Sequence, residues 1–591
     1  MTWHFSRILI RICLPLAALS IPLLLAQAQE PSASLKQADA DYRAGAAAVS
    51  RNDLKAALAD FQSVVRLAPS AEQGHAALGS VLLRLERNSE AIGELQKALV
   101  LKPGDKDSQL NLAIAYQKNG QPAKAIPLFA KLEAPDRADK RSMSPSVLSS
   151  YAYALAEVKQ LSAATQRMRE AAAGEPHNAE LQDDLGSLYA QQQDWTNASR
   201  AFSAALEIKP DFAAAHLHLG LTMQAQKQPG ALDELQSAYH FAPRNPIVAL
   251  ELGKALANAG DDEHAIPVLQ RAVELDPSSI PAMYQQGLAL QRVNRTNEAV
   301  PLLQRAAAAD PDNAEVLTNL GMALCMAQRA KDAVPILQRA AKLNQLSATA
   351  RQNLAVAYIQ LSQFDDAIVQ LRAALSLSPN APQLHYNLGY ALKMQDDAAG
   401  AIPELEAAEK LDPAQPEAPY LLGVLYMQAG RYADAERELN VSLKLRPANS
   451  DGWATLGSVY NKLDKLPEAA SALHESIRQD PRQPDARLTL AAVLVKQNQP
   501  AEATGERRKA AELMRARMDR QRAEVATNSA KSLLSSGKVD DAVTELKEAL
   551  TFDPNYPEAH LAMAKALDLQ GKTADAAAER QKATDLEGKF E

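Results

Sequence analysis

Apolar residues recur along this chain at steps of three and four, in blocks of about a dozen residues separated by short polar breaks. Apolar positions three and four apart fall on one side of a helix, so each block predicts an amphipathic helix. The blocks are themselves periodic. Proline stands at 69 and 103, at 176, 210, 243, 277 and 311, and again at 379, 413, 447 and 481, mostly 34 residues apart. A small residue keeps the same step, as at Gly45, Gly79, Ala113, Gly186, Gly321, Ala355, Gly457 and Ala564. An alanine follows nearly every one twelve residues later, for example Ala57, Ala91, Ala198, Ala367 and Ala576. A fixed period of this length means stacked copies of one supersecondary unit.

The unit reads as an antiparallel helix pair. Its first half has Leu-Gly-x-x-Tyr spacing, as in Leu185-Gly186-Ser187-Leu188-Tyr189 and Leu456-Gly457-Ser458-Val459-Tyr460. Leu and Tyr four apart share a face, and the small residue between them admits a second helix. A polar turn follows, often with glycine (Asn119-Gly120, Ala429-Gly430), then a second amphipathic stretch ended by the proline. Asn380-Ala381-Pro382-Gln383 and Asn555-Tyr556-Pro557-Glu558 predict an asparagine cap with Gln or Glu three residues on.

On these residues the sequence resembles the tetratricopeptide repeat (TPR) family, over roughly Lys36–Leu586. With the Gly/Ala counted as position eight, Leu is usual at seven, Ala at twenty and Pro at thirty-two. The resemblance implies an all-α, right-handed superhelical solenoid of about sixteen helix pairs, whose first helices line a concave groove. A lone pair cannot bury its apolar face, so neighbours supply the core.

Two places depart from the period and, with the leader, divide the chain. Residues 1–28 read as a signal peptide: Arg7 and Arg11 without an acid, an apolar Ile12–Leu25, then Ala26-Gln27-Ala28. An uncleaved anchor is the rival reading, but the apolar run is shorter than the roughly 20 residues that span a bilayer. A short linker (29–35) precedes three repeats (36–135). A surplus of five residues then predicts a loop over 136–145, bounded by Pro135 and Pro145. Central repeats fill 146–500. Between Ala491 and Ala530 the step is 39, and 501–525 is expected to be one extended helix before two last repeats (526–588).

Composition then excludes function classes. Only 5% of the residues are aromatic, and the formal net charge is −8 with no concentrated basic stripe, so nucleic acid is not an expected partner. The two cysteines, Cys13 and Cys325, cannot pair once the leader is removed, and Cys325 reads as a small packed residue. No phosphate-binding glycine loop, haem-attachment cysteine pair or His-Glu-x-x-His occurs, so neither catalytic residues nor a cofactor are expected. The histidines invite a metal reading. However, His75, His216, His385 and His560 all fall at position four, where Trp453 stands in another repeat, and the family pattern favours a large ring there. His216 and His218 point away from each other on a helix. The sequons at Asn197, Asn294 and Asn440 are three short matches in a repetitive chain.

What remains is the groove, which the resemblance places at positions five, nine, twelve and thirteen. In most repeats that stripe is mixed or polar, as with Ser80, Arg84, Gln117 and Lys118. Between Tyr284 and Met427 it turns apolar: Tyr284, Leu288, Met322, Cys325, Met326, Val356, Ile359, Tyr386, Tyr390, Met394, Tyr420, Val424 and Met427. Exposed apolar surface of this kind marks a binding site. Asn319, Asn353 and Asn387 stand at position six of three successive repeats. They look similar to the asparagine ladder in the TPR region of the O-linked N-acetylglucosamine transferase, which holds an extended peptide backbone. The expected partners are extended segments of other proteins, captured by a non-enzymatic scaffold in the cell envelope, exported to the periplasm or secreted. A polysaccharide conduit is the alternative.

Overall fold

A computed structural model describes residues 33–133 and 143–587. Those residues form thirty-one α-helices and no strand. The chain separates into two compact units, 1–309 and 310–591. The first holds the pairs from Ala33–Ser50 with Leu54–Leu67 (repeat one) to Ile280–Arg292 with Thr296–Ala309 (repeat eight). The second runs from Ala314–Met326 with Ala330–Leu343 (repeat nine) to Pro557–Leu569 with Thr573–Glu587 (repeat sixteen). Within each unit a helix packs on its own partner and on the neighbouring repeat, which is the contact pattern of a helical solenoid. Sixteen pairs need thirty-two helices. The shortfall is one, because Pro500–Ser535 is a single helix of 36 residues that serves two repeats.

The periodic small residue has a direct cause. A Cβ on Gly321 would lie 2.3 Å from Cγ of Leu337, on the second helix of the same repeat, and that leucine is fully buried. The close approach of the two helices requires the missing side chain. The turn between the helices is equally regular. Seven residues beyond position eight the backbone has positive φ in every repeat, on glycine at 120, 260, 430, 537 and 571 and on eleven other residues, including Glu86, Lys159 and Gln328. The next residue returns its N–H to the first helix, as Arg329 N to Leu324 O at 2.8 Å and Arg431 N to Tyr426 O at 2.8 Å. This bond satisfies a carbonyl that the helix end leaves open.

Several boundaries differ from the sequence expectation. The first helix starts at Ala33, inside the segment read as linker. Pro145, read as loop, is the first residue of the helix Pro145–Glu157, where its fixed φ and missing N–H are tolerated. The rest of that loop up to residue 142, the leader 1–28 and residues 29–32 lie outside the described residues. The two asparagine caps are not formed. Ala381 and Tyr556 are the N-caps, and neither accepts a side-chain cap bond, because Pro382 and Pro557 fix the helix start one residue too late for the asparagine. Real side-chain caps occur elsewhere, at Asn178, Asn313, Ser347 and Asn449 among others.

Candidate binding face of the first helices

In the second unit the first helices of repeats nine to twelve are Ala314–Met326, Ala348–Gln360, Pro382–Met394 and Glu417–Gln428. Their Leu at position seven and Gly or Ala at position eight turn inward: Leu320, Leu354, Leu388 and Leu422 are all buried. The stripe at positions five, nine, twelve and thirteen therefore turns away from the second helices. Met322, Met326 and Met394 are exposed, at 42%, 38% and 41%. Val356, Ile359, Tyr386, Tyr390, Tyr420, Val424 and Met427 are half-buried. Burial beside Glu417 pushes the Tyr386 hydroxyl up, and burial beside Asp451 does the same to Tyr420, so both remain neutral donors. Tyr284 belongs to the first unit, in Ile280–Arg292, and is half-buried there.

Two parts of the expected site differ. Cys325 is buried at 4% exposure, and burial pushes its thiol up to about 11, so it is a packed side chain outside the open stripe. The asparagines do not form an open ladder. Asn353 and Asn387 are 9% and 8% exposed, and their amides are engaged within the protein. Asn353 Nδ2 donates to the carbonyl of Thr318 in the preceding repeat at 3.4 Å, and Asn387 Oδ1 accepts from Gln383 Nε2 at 3.0 Å. Asn319 Nδ2 donates to the Glu315 carbonyl at 3.1 Å. At position six of repeats ten and eleven the adjoining first helices close over the side chain, as the Asn353 bond to Thr318 shows, whereas position thirteen, two turns further along the same side, stays open at Met326 and Met394.

Position four does more than pack. His75, His216, His385 and His560 each place Nε2 at 2.9 to 3.0 Å from the carbonyl of the proline six residues earlier. A carbonyl only accepts, so Nε2 is the donor in this bond. The other nitrogen meets a glutamate of the second helix: Glu94, Glu234, Glu404 or Glu579, at 2.5 to 2.7 Å. Trp453 makes the same bond from its indole to the Pro447 carbonyl at 2.9 Å, and Arg487 to Pro481 at 3.0 Å. These residues tie the end of one repeat to the start of the next. Among the described residues no three His, Cys, Asp or Glu side chains are grouped to hold a metal ion.

Sequence reasoning missed a buried polar network in repeats four to six. Asp183 and Asp184 are both 2% exposed. Tyr153 donates to Asp184, and Asp183 pairs with His218 at 2.8 Å. Burial, reinforced by the adjacent Asp183, pushes Asp184 up to about 7 against the Tyr153 hydrogen bond. The available signal was the Asp-Asp pair at positions five and six, of which Asp183 meets the following first helix through His218 and Asp184 the preceding one through Tyr153.

Sequence models of known families agree with this architecture. Sequence models of the tetratricopeptide repeat match residues 35–106, 76–140, 223–280, 284–350 and 392–458, and models of the TPR repeat match 186–227, 357–396 and 530–571. Among curated proteins, the peroxisomal targeting signal receptor of Komagataella phaffii is 26% identical over 177 residues, covering 29% of this chain and 30% of the receptor. The receptor of Candida albicans is 27% identical over 195 residues, covering 31% and 32%. The chain thus spans about a third of the length of these relatives. Among solved structures, the APC/C hetero-tetramer Cut9-Hcn1 aligns over 90% of this chain and 96% of its own at 17% identity and a TM-score of 0.33. YrrB, a TPR protein with an unusual peptide-binding site, aligns over 31% and 95% at 24% identity and a TM-score of 0.28. With its 34-residue period realised as helix pairs and the repeat's own sequence models matching from residue 35 to residue 571, this chain belongs to the tetratricopeptide repeat family.

Proposed function

We propose that this chain is a non-enzymatic scaffold of the cell envelope that captures extended segments of other proteins on the first helices of repeats nine to twelve. The observation that carries the reading is an apolar stripe over four consecutive first helices: exposed methionines in repeats nine and eleven, half-buried tyrosines in eleven and twelve, and Val356 and Ile359 between them in repeat ten. Methionine is flexible and polarizable and adapts to varied side chains, while tyrosine combines a large apolar ring with a hydroxyl that can reach backbone. The family's general role in protein–protein interaction supports the reading, as do relatives named as targeting signal receptors. The reading does not rest on the asparagines, since Asn353 and Asn387 are nearly buried and each makes an amide bond inside the protein. Specificity then rests on the apolar pockets and the tyrosine hydroxyls. Export rests on the leader pattern of residues 1–28.

A peptide array of exported host proteins, probed with the purified chain, tests the binding face. Tyr386→Ala combined with Tyr420→Ala should weaken the captured peptides by at least tenfold while helicity stays at the wild-type level, since aromatic anchors commonly contribute about 2 kcal/mol or more each. Wild-type capture by this double variant would move the search to other surfaces. Intact mass from the native host tests export separately: the expected product lacks residues 1–28, and a retained leader would favour the anchored form.

A further inference from the structure

The long helix Pro500–Ser535 offers a second, distinct surface. Its first part pairs with Pro484–Lys496, burying Ala503 in an apolar cluster with Leu490, Ala491 and Leu494, and Ala510, on the same side of the helix, is buried as well. Its last part pairs with Val539–Phe552, burying Ala523, Ala526 and Ala530 in another. At about 100° a residue these two sets point to opposite sides of the helix. The face that packs on Pro484–Lys496 continues beyond that contact as Met514, Met518, Gln521 and Val525, at steps of four, three and four. There it is open: Met514, Met518 and Val525 are 37%, 55% and 66% exposed. Met518, Gln521 and Val525 also line a cleft against Phe552, Glu545 and Glu548 of the following helix.

A seam at three- and four-residue steps is what one helix presents to another. The open stretch Met514–Val525 is about 18 Å long at 1.5 Å a residue, or three turns. Its charge selects the occupant. Residues 506–522 carry seven basic and three acidic side chains on an otherwise acidic protein. Arg507, Arg515, Arg517 and Arg522 surround the seam. Arg515 and Arg522 share the single acid Asp519, at 3.9 and 3.8 Å. A second copy would set these arginines against their own equivalents, a like-charge contact that disfavours pairing.

We propose that the seam Met514–Met518–Gln521–Val525 docks an amphipathic helix of a partner protein that carries acidic residues beside its apolar stripe. The docked helix extends the contact already made by Pro484–Lys496, in line with it along Pro500–Ser535. Glu545 and Glu548 on the cleft's far rim set its rotation, by repelling acids on that edge.

The full chain and two fluorescein-labelled helical peptides of 21 residues test this. Both peptides carry leucine at the heptad a and d positions, with Glu at e and g in one and Lys in the other. The Glu peptide should bind at least tenfold tighter at low salt. Met518→Glu should abolish that binding, and Met518→Gln should weaken it at least threefold with helicity unchanged. Arg515→Glu with Arg522→Glu should reverse the preference towards the Lys peptide. Equal binding of both peptides, or a preference that survives the charge reversal, overturns the proposal. A concentration-dependent dimer in sedimentation that Met518→Glu dissolves also overturns it, since the occupant would then be a second copy.

Discussion

The positive-φ residue in every turn gives a test of the backbone with no packing term attached. Gly430 has φ +73°, and a Cβ built on it meets nothing within 4 Å, so Gly430→Ala changes only the conformational preference. The left-handed region disfavours an L side chain by roughly 1–2 kcal/mol. Alanine recovers about 0.4–1 kcal/mol by narrowing the unfolded ensemble, leaving a net loss near 1 kcal/mol. Gln328, at φ +58°, is the mirror case, and Gln328→Gly should gain about 0.5–1 kcal/mol by the same two terms. Asn498, at φ +62°, is an intermediate control, because asparagine tolerates this region better. An array of repeats does not unfold in one step, so a single melting temperature would blur the effect. Amide exchange resolved by peptide is the suitable assay. A change of 1 kcal/mol is about a fivefold change in rate when exchange follows local opening. Gly430→Ala should speed exchange in Glu417–Gln428 and Tyr432–Leu445, and Gln328→Gly should slow it in Ala314–Met326 and Ala330–Leu343. Rates that do not move, or that move together, would mean that φ at this turn is not what sets local stability.

Three further outcomes follow. Asp184 is held above its ordinary carboxyl range, up to about 7, so its contribution favours folding fully below the unfolded value near 4 and is lost as pH rises to 7. Asp184→Asn should flatten that decline, read as exchange in Pro145–Glu157, Ala179–Gln191 and Ala213–Ala225 at pH 5 and pH 8; Tyr153, Asp183, Glu180 and His218 surround the group, and an unchanged pH slope would show that Asp184 is not the source of the decline. Cys325, buried with its thiol pushed up to about 11, should react with iodoacetamide at pH 8 at least a hundredfold more slowly in the native chain than in urea, as measured by peptide mass mapping. His385→Phe should cost about 1–2 kcal/mol by stranding the Pro379 carbonyl and Glu404. Trp453→Phe should cost less, because Gln479 also donates to the Pro447 carbonyl, and comparing exchange at the two joints ranks them.

The 34-residue period was enough to read the helix pairs, because Leu at position seven, the small residue at eight and Ala at twenty each meet a requirement of close helix packing. Interfaces between repeats were less legible. Asn353 and Asn387 look like an open row in sequence, yet which side of a helix its neighbour covers depends on the tilt between repeats, which no single helix encodes. Asp183 and Asp184 were hidden for the same reason. The asparagines at 380 and 555 show a finer limit: a proline at the first helical position outranks a nearby capping residue, and the two signals differ by one register step. The histidines of position four read as rings that fill space, whereas their bonds to a carbonyl and a carboxylate emerge only when two repeats are placed together.

The uninterrupted helix Pro500–Ser535 also changes how sequence length can vary at this point of the chain. A residue added to a surface turn is absorbed locally, at small free-energy cost. A residue added between Ala510 and Met518 would instead rotate everything beyond it by about 100° around the helix axis and push it 1.5 Å further along. The 39-residue step here therefore acts as a dial on the direction in which the last two helix pairs point, and lengthening or shortening it by single residues re-aims them without altering any of their internal contacts.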